Sequence, residues 1–460
     1  MTLWNFIKEH MISNCTQQIC EGDAKISFEE TVIWAEEFAK KLNGVHCCAI
    51  LCSSEMAAAM SLLACFAAEV TAVPLSMRYG EIHCNNILDT ISPDAIIMDI
   101  NGGLEVYKIK DFQYIDPEEH PALIMCTSGT TGKPKGVMLS EKNIITNVTD
   151  ITDYFEIDTS DTILIARPIY HCAVLTGEFL TALVKGTAIR FYSEHFNPMK
   201  VLELIKKYEI TAFCGTPTLF STMARLNRNS YTKTLKYICI SGEHMSYEVG
   251  MKIYEAFSNC KIYHVYGLTE ASPRVAYLPP KYFKEYPNCV GYPLKSVSID
   301  VLNRFGESCR EDEEGLLYIK GDSVMIGYYG DHEKTQETIK DGWLCTGDTV
   351  YVNTLGFIRI RGRKDDLIIR AGMNIYPTEI EARLKKDPRV KEALVYGFDN
   401  QFGTQIGLKI VGDFESVHEV KKLCASVLPS FQIPVDIEIL DELPKNASGK
   451  VIRRGNYGRA

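Results

Sequence analysis

The stretch from residue 127 to residue 137 combines glycine, hydroxyl side chains and lysine in the proportions of a phosphate-binding loop. Glycines let backbone N–H groups turn inward, hydroxyl groups add donors, and lysines add positive charge. The spacing differs from a Walker A loop, because no Ser or Thr follows Lys133. The residues expected to bind phosphate are Thr127, Ser128, Gly129, Thr130, Thr131, Gly132, Lys133 and Lys135.

A second segment, Tyr266 to Glu270, places four kinds of nucleotide chemistry within a few residues. Tyr266 can stack on a purine, and Gly267 permits close approach of the backbone. Thr269 can donate to a phosphate oxygen, and Glu270 is a hard oxygen ligand that suits Mg²⁺. The segment therefore predicts a site for a nucleotide and a magnesium ion.

These motifs resemble those of the adenylate-forming superfamily, which contains acyl- and aryl-CoA synthetases, luciferases and the adenylation domains of peptide synthetases. The resemblance covers nearly the whole chain, and the string Asn374-Ile375-Tyr376-Pro377 is nearer to the CoA ligases. It implies an AMP-forming acid–thiol ligase that uses ATP and Mg²⁺ to convert a carboxylic acid to an acyl-adenylate, releasing pyrophosphate. Transfer of the acyl group to CoA follows.

Three alternatives share these motifs. One is a stand-alone adenylation enzyme that loads an acyl, aryl or amino acid onto the phosphopantetheine of a carrier protein. Another is an ATP-binding relative that has lost catalysis, although Glu270, Asp348, Arg363 and Lys450 are all present. The third is an oxygen-dependent luciferase, which light emission from a luciferyl substrate would reveal.

The resemblance also implies roles for individual residues. Lys450 is the expected catalytic lysine, acting with Thr269 and with Glu270 as the magnesium ligand. Gly372 is expected to border the thiol channel, and Asp365 to be the hinge. The remaining nucleotide-binding residues are Gly242, Glu243, Tyr266, Gly267, Asp348 and Arg363, and the substrate pocket is expected to comprise Tyr170, His171, Phe213, Gly215, Tyr266 and Ala271.

The pocket segment limits the substrate. Amino-acid-activating relatives carry an Asp here for the substrate ammonium, whereas residues 169–174 contain no carboxylate. A buried ammonium without a charged partner is costly. We therefore expect an acid without an α-amino group, and Glu178, a turn or two beyond, is the one residue that could reverse this preference.

The elements that must position these residues show an alternation of helix and strand. Residues 26–42 and 56–68 have helical patterns, and each is followed by a short apolar strand, at residues 49–51 and 70–75. Such alternation predicts an α/β fold with parallel strands. Around the phosphate loop we expect strand, loop and then a helix from Glu141. The strands within residues 213–218 and 238–243 are expected to place their loops at the carboxyl edge of a sheet, where α/β proteins bind ligands.

The predicted architecture is a large layered N-terminal domain, residues 1–364, with parallel and antiparallel sheet. A hinge joins it to a small α+β domain, residues 365–460. In the small domain we expect a loop over residues 371–377 and a capping box of Thr378 and Glu381 that opens a helix. Strands near residues 394–396, 407–411 and 437–440 and a helix over 418–427 complete it.

Composition excludes several classes of protein. The 460 residues carry a formal net charge of −10, which argues against wholesale binding of nucleic acid or anionic membranes. The apolar run from Met56 to Ala68 is shorter than the roughly 18 residues of a membrane span, and no secretory signal is visible. The sixteen cysteines contain no Cys-x-x-Cys pair, so we expect reduced thiols in a cytoplasmic enzyme.

Overall fold

The structure is a computed structural model that describes most of the chain. The described residues are 1–76, 80–100, 102–109, 114–115, 117–128, 134–194, 197–226, 231–370, 373–400, 403–445 and 451–452. The side chains of His83, Ser128, Met373, Asn374 and Gly403 are also outside the description.

The strands are short, as in most layered α/β proteins. In chain order they are β1 (Gln18–Glu21), β2 (Ala24–Ser27), β3 (Cys47–Leu51), β4 (Thr71–Pro74), β5 (Ala95–Ile100), β6 (Gly103–Lys108), β7 (Leu123–Ser128), β8 (Pro134–Leu139), β9 (Thr162–Ile165), β10 (Ala188–Phe191), β11 (Ala212–Gly215), β12 (Tyr237–Ile240), β13 (Lys261–Gly267), β14 (Arg274–Leu278), β15 (Tyr292–Pro293), β16 (Val297–Leu302), β17 (Gly315–Gly321), β18 (Gly327–Tyr328), β19 (Ile339–Lys340), β20 (Trp343–Val352), β21 (Ile358–Arg363), β22 (Ile368–Arg370), β23 (Met373–Ile375), β24 (Val390–Asn400), β25 (Gly403–Gly412) and β26 (Asp436–Ile439).

Helices alternate with many of these strands. They are α1 (Leu3–Ser13), α2 (Phe28–Ala39), α3 (Glu55–Ala67), α4 (Glu81–Ile91), α5 (Glu141–Tyr154), α6 (Cys172–Val174), α7 (Thr181–Lys185), α8 (Pro198–Lys207), α9 (Pro217–Leu226), α10 (Tyr247–Ala256), α11 (Pro280–Phe283), α12 (His332–Thr338), α13 (Pro377–Leu384) and α14 (Val417–Val427). A π-helical segment, Leu175–Leu180, lies between α6 and α7.

A nine-stranded sheet has the order β15-β14-β13-β12-β11-β9-β10-β1-β2. The strands from β13 to β1 in this order run parallel, and antiparallel strands complete both edges. One face packs on a core that includes Leu164, Phe213, Phe220 and Phe257, all essentially inaccessible to solvent. Because β9, β11, β12 and β13 are parallel, their carboxyl ends lie at one edge of the sheet.

A seven-stranded sheet has the order β18-β8-β7-β4-β3-β5-β6, with parallel pairing between β7, β4, β3 and β5. Its core includes Ala49, Val73, Ile87 and Ile124. The predicted helix over residues 56–68 is confirmed as α3, within one residue at each end. Ser54 caps this helix by accepting a hydrogen bond from the N–H of Ala57. These two sheets confirm the predicted α/β class.

The later strands form smaller sheets. One has the order β16-β17-β20-β19, with β21 paired to β20, and β22 pairs with β23. The strands β24, β25 and β26 form a three-stranded sheet with one antiparallel and one parallel pair. This sheet, α13 and α14 enclose a core around Leu384, Val395, Leu408 and Val420, which confirms a small α+β region.

Three local predictions are wrong. Residues 134–139 form the strand β8 before α5 begins, so a second strand precedes the predicted helix. Residues 373–375, expected in a loop, form β23. The predicted capping box is absent from α13: Thr378 donates instead to the carbonyl of Arg361, and the carboxylate of Glu381 accepts from the N–H of Val395. Both side chains form hydrogen bonds to backbone groups of other elements, which the local sequence pattern does not reveal.

The predicted start of α5 is confirmed with its own capping box. The Ser140 hydroxyl accepts from the N–H of Asn143, and the Asn143 side chain accepts from the N–H of Ser140. Two orphan donors at the beginning of the helix are thereby satisfied.

The chain divides into two compact units. The first contains Met1–Asp300, Tyr318–Cys345 and Gly356–Ile358, and the second contains Val301–Leu317, Thr346–Leu355 and Arg359–Ala460. The predicted division into residues 1–364 and 365–460 and the hinge at Asp365 stay predictions. Over the described ranges, no helix combines the length and apolar character needed to cross a membrane. All sixteen cysteines lie in described residues and are free thiols.

Candidate active site

The carboxyl edge of the nine-stranded sheet collects several of the predicted site residues. His171 follows β9, Gly215 ends β11, Gly242 and Glu243 follow β12, and Tyr266 and Gly267 end β13. Arg167, which was not predicted as a site residue, also follows β9. The register places Gly215 opposite Ile240, and Ile240 opposite His264. Segments separated by more than 90 residues in sequence therefore meet along one edge.

The turn after β12 is built by Gly242 and Glu243. Gly242 has a φ of +91°, a conformation that side chains disfavour. The Glu243 carboxylate accepts from the N–H of Thr218 at 3.1 Å and from its hydroxyl at 2.6 Å, in the first turn of α9. A carboxylate is favourable at that end of a helix. Glu243 therefore joins two of the loops at the sheet edge, through a partner that sequence reasoning missed.

Gly267 allows two backbone segments to approach closely. A Cβ atom at this position would lie 2.0 Å from the carbonyl oxygen of Pro273. The N–H of Leu268 donates to the same oxygen at 2.9 Å. Any side chain at residue 267 would therefore displace the turn that carries Thr269 and Glu270.

Glu270 lies in a 3₁₀ turn, Thr269–Ala271, and has partners from distant segments of the first unit. Its carboxylate accepts from the hydroxyl of Tyr328 at 3.0 Å, and its carbonyl accepts from the N–H of Met325. The Lys135 ammonium lies 5.3 Å from the centre of the Tyr328 ring. The structure thus places Lys135 and Glu270 next to the same tyrosine. Tyr328 was missed by sequence reasoning; the run Gly327-Tyr328-Tyr329 was the only signal.

The donor set around Glu270 suits Mg²⁺ bound with phosphate oxygens. Within the described ranges, no group of three or more His, Cys, Asp or Glu could hold a metal ion. Mg²⁺ commonly uses one or two carboxylates together with waters and substrate phosphates. A single carboxylate next to a cationic strand fits that mode of binding better than an all-protein metal cage.

Asn147 fixes the turn that carries Glu270. It is inaccessible to solvent on α5, and its amide donates to the carbonyls of Ala271 at 3.2 Å and Arg274 at 2.8 Å. Its oxygen accepts from the N–H of Arg274 at 3.1 Å. Asn143, one turn earlier, donates to the carbonyls of Asp322 and Val324. Sequence reasoning missed both amides, since their partners are more than 120 residues away.

Tyr170 and His171 lie in the loop between β9 and α6, with ring centres 4.4 Å apart. The Glu55 carboxylate accepts from the N–H of Ile169 at 2.8 Å and so holds this loop. Burial, reinforced by the positive charge of Arg167, lowers the pKa of His171 to about 4. His171 is therefore a neutral imidazole at pH 7, with one donor and one acceptor nitrogen.

Three other predicted pocket residues are packed in the core. Phe213 is inaccessible to solvent, and its ring meets that of Phe220 edge-on at 5.7 Å. A Cβ atom at Gly215 would contact Leu219 at 2.8 Å, on the same face of the sheet. Ala271 is also fully buried. The part of these residues in substrate binding stays a prediction.

Glu178 already has a cationic partner. It is fully buried, and its carboxylate forms an ion pair with Arg167 at 2.5 Å. Burial raises the pKa of Glu178, and Arg167 opposes this effect. A carboxylate bound to an arginine is a poor receptor for a substrate ammonium, so the pair supports the predicted preference for acids without an α-amino group.

In the second unit, Asp348 and Arg363 form an ion pair at 3.3 Å. Asp348 is buried, and its N–H donates to the Thr346 hydroxyl. Gly347 has a φ of +74°, and the Arg363 guanidinium lies 3.1 Å from the position that its Cβ would occupy. The two residues predicted to contact ribose and phosphate are therefore neighbours, and their ligand contacts stay predictions.

Several predicted site residues lie outside the described residues: Gly129, Thr130, Thr131, Gly132, Lys133, Gly372 and Lys450. On either side of the phosphate loop, Thr127 and Lys135 face each other as register partners in β7 and β8.

Comparison with known proteins gives matches along most of the chain. Residues 108–329 match the family model of AMP-binding enzymes, and residues 379–450 match that of the AMP-binding enzyme C-terminal domain. Together the two matches cover more than half of the chain. A long-chain-fatty-acid–CoA ligase of Haemophilus influenzae is 34% identical over 74% of this chain and 63% of its own length. A 2-succinylbenzoate–CoA ligase of Bacillus licheniformis is 29% identical over 95% of both chains.

Solved structures give a similar result. The o-succinylbenzoate CoA synthetase MenE of Bacillus subtilis, in complex with its acyl-adenylate intermediate, has a TM-score of 0.86 and 26% identity. The match covers 99% of this chain and 98% of that one. The same enzyme in complex with ATP and a magnesium ion has a TM-score of 0.85. The chain spans only 56–63% of the length of three longer curated relatives that it matches.

Proposed function

Because the chain belongs to the AMP-binding enzyme family, we propose that it is an AMP-forming acid–thiol ligase. In this proposal ATP and a carboxylic acid form an acyl-adenylate and pyrophosphate, and CoA then displaces AMP. The observation that carries the proposal is the position of Glu270, which lies on a turn held by Asn147 and accepts from Tyr328, the tyrosine that Lys135 also contacts. The matched CoA ligases support it.

The chain's own groups contribute positioning and charge. Lys135 lies next to the phosphate loop and supplies positive charge for phosphate oxygens. Bound Mg²⁺, held by Glu270, would neutralise further negative charge on those oxygens. His171 offers its donor and acceptor nitrogens without adding charge, so it can orient a carboxylate rather than titrate with it. Lys450 is proposed to stabilise the charge that develops between the carboxylate and the α-phosphate.

The acceptor is proposed to be CoA, because the segment Asn374-Ile375-Tyr376-Pro377 has the form found in CoA ligases. A carrier-protein phosphopantetheine is the alternative acceptor. Cytosolic location is proposed from the sixteen free thiols, which suit a reducing compartment. The net charge of −10 supports the absence of a nucleic-acid partner.

Pyrophosphate exchange into ATP tests the proposal. The full chain is incubated with MgATP, labelled pyrophosphate and a panel of aryl and short-to-medium aliphatic acids. At least one acid should support exchange, and Glu270→Gln should suppress it, whereas Glu285→Gln on an exposed segment should not. CoA and a phosphopantetheinylated carrier protein are then compared as acceptors. ATP binding without exchange for any acid would overturn the proposal in favour of a non-catalytic relative.

A further inference from the structure

The π-helical segment Leu175–Leu180 places a buried acidic residue close to the substrate loop. It begins four residues after His171, and it carries Glu178, which is inaccessible to solvent. π-Helical turns are rare and occur often at functional sites. The segment is therefore a candidate functional feature rather than an ordinary buried helix.

The ion pair between Glu178 and Arg167 uses only half of its hydrogen-bonding capacity. The Nη2 atom of Arg167 contacts the Oε1 atom of Glu178. Among the residues that the structure describes, neither Arg167 Nε nor Glu178 Oε2 has a hydrogen-bond partner, although both atoms are buried. An arginine and a carboxylate can normally form two parallel bonds, and the two open atoms are the ones that would form the second. The same ion pair therefore carries one open donor and one open acceptor.

The ion pair of Arg167 and Glu178 lies near residues of the predicted acid pocket. Arg167 Nη1 is 3.5 Å from the hydroxyl of Ser241, which precedes Gly242. The charge of Arg167 also acts on His171. Cys214, between the predicted pocket residues Phe213 and Gly215, experiences the charges of both Glu178 and Arg167. The pair thus lies near the carboxyl ends of β9, β11 and β12.

A second buried cation limits what the open atoms can bind. Arg274 is 2% exposed, and its guanidinium packs against Gly177, where a Cβ atom would be 2.9 Å from Arg274 Nη2. An ammonium bound by Glu178 would lie near two arginines. A second carboxylate would face Glu178 and could offer no donor to its open oxygen. A neutral group that both donates and accepts satisfies both open atoms.

We propose that Arg167 and Glu178 form a polar subsite for a hydroxyl group on the substrate acid. The hydroxyl donates to Glu178 Oε2 and accepts from Arg167 Nε. The substrate class is then a hydroxy-substituted carboxylic acid, aryl or aliphatic, without a second charged group. This inference rests on the proposed function and adds the class of acid.

The test compares matched acids in pyrophosphate exchange with the full chain. Benzoic acid is compared with its ortho, meta and para hydroxy derivatives, and unsubstituted C4–C10 acids with their hydroxy derivatives. Methyl ethers, dicarboxylic acids and α-amino acids complete the panel. One hydroxy acid should exceed its parent by on the order of 10²-fold in kcat/KM, because a site that bonds a hydroxyl strongly rejects the analogue lacking it. The α-amino analogue should be at least about tenfold poorer than the parent.

Two variants link the preference to the ion pair. Arg167→Lys keeps the charge but removes Nε, and Glu178→Gln keeps the shape but removes the carboxylate. Each should reduce the ratio of hydroxy acid to parent acid at least about tenfold, whereas a purely structural role would lower both acids alike. Glu156→Gln, at the exposed ion pair with Lys261, is the matched control and should keep the wild-type ratio.

The outcomes separate the inference from the proposed function. No exchange with any acid would overturn the proposed function. Exchange in which unsubstituted acids equal or exceed all hydroxy acids would overturn the subsite alone, as would a preference for methyl ethers or dicarboxylic acids. Because the wild-type panel decides this point, a variant that fails to fold does not remove the test.

Discussion

Replacing Asn147 by leucine should destabilise the protein and weaken its response to magnesium together. Asn147 makes three hydrogen bonds to backbone atoms of Ala271 and Arg274, and it is inaccessible to solvent. Leucine has a similar volume but leaves the N–H of Arg274 and two carbonyls unsatisfied. At about 1 kcal/mol for each bond, the loss is about 3 kcal/mol.

This loss converts to a small shift in the melting temperature of so large a chain. The entropy of unfolding is about 2.1 cal/mol/K per residue, or about 1 kcal/mol/K for 460 residues. Asn147→Leu should therefore lower the melting temperature by about 3 °C. Because the turn positions Glu270, the variant should also need about tenfold more Mg²⁺ for half-maximal pyrophosphate exchange.

The control is Thr149→Ala, on the exposed face of the same helix, where the hydroxyl donates only to the carbonyl of Ile145. Thermal unfolding and magnesium titration of exchange are measured for both variants. Thr149→Ala should match the wild-type magnesium response. The reasoning would be refuted if Asn147→Leu melted within about 1 °C of the wild type, or if its magnesium response were unchanged.

Three further predictions follow from other residues. Lys450→Ala should slow adenylation by roughly 10² to 10³-fold while sparing thioester formation from a supplied acyl-adenylate, and equal loss in both half-reactions would contradict its assigned role. Gly372→Leu should suppress thioester formation and leave pyrophosphate exchange near normal; collapse of exchange would instead indicate a backbone requirement. His171 is neutral when folded, with its pKa lowered to about 4 by burial, and it gains a proton on unfolding near its ordinary pKa of about 6.5. Stability should therefore fall as pH drops through this range, by about 2 kcal/mol from pH 7 to pH 5 for this residue. His171→Asn should remove this pH-dependent part of the free energy of unfolding, as measured by denaturant unfolding at pH 7 and pH 5. The similar contribution of buried His264, whose pKa is also lowered to about 4 by burial, should remain.

The loops at the sheet edge were predictable because strand periodicity and motif spacing are local properties of the chain. The strands ending at Gly215 and Ile240 were expected to present their loops at one edge of the sheet, and their parallel pairing confirms this arrangement. The start of α5 at Glu141 was likewise readable from Ser140. In each case the determining residues lie within one strand or one helical turn.

Predictions from the local sequence pattern were wrong where a side chain bonds to a residue that is distant in sequence. Thr378 and Glu381 have the spacing of a capping box, yet they bond to Arg361 and Val395. Buried polar groups must be satisfied, and a backbone group from another element meets that need as well as a local one. The strand β8 was missed because its pairing with β7 is a contact between two segments of the chain, which the pattern within one segment does not reveal.

The amino-acid sequence by itself determined the alternation of helices and strands, the motifs at the strand ends and the family, since each depends on residue types at short spacing. Only the tertiary structure decided which groups complete the site. Asn147 donates hydrogen bonds to Ala271 and Arg274, which are 124 and 127 positions away in sequence, and Tyr328 donates to Glu270, 58 positions away. Glu178 turned out to be buried against Arg167, although both lie in the same segment of sequence. The direction and burial of a side chain depend on the packing of several elements at once, which short-range patterns do not encode.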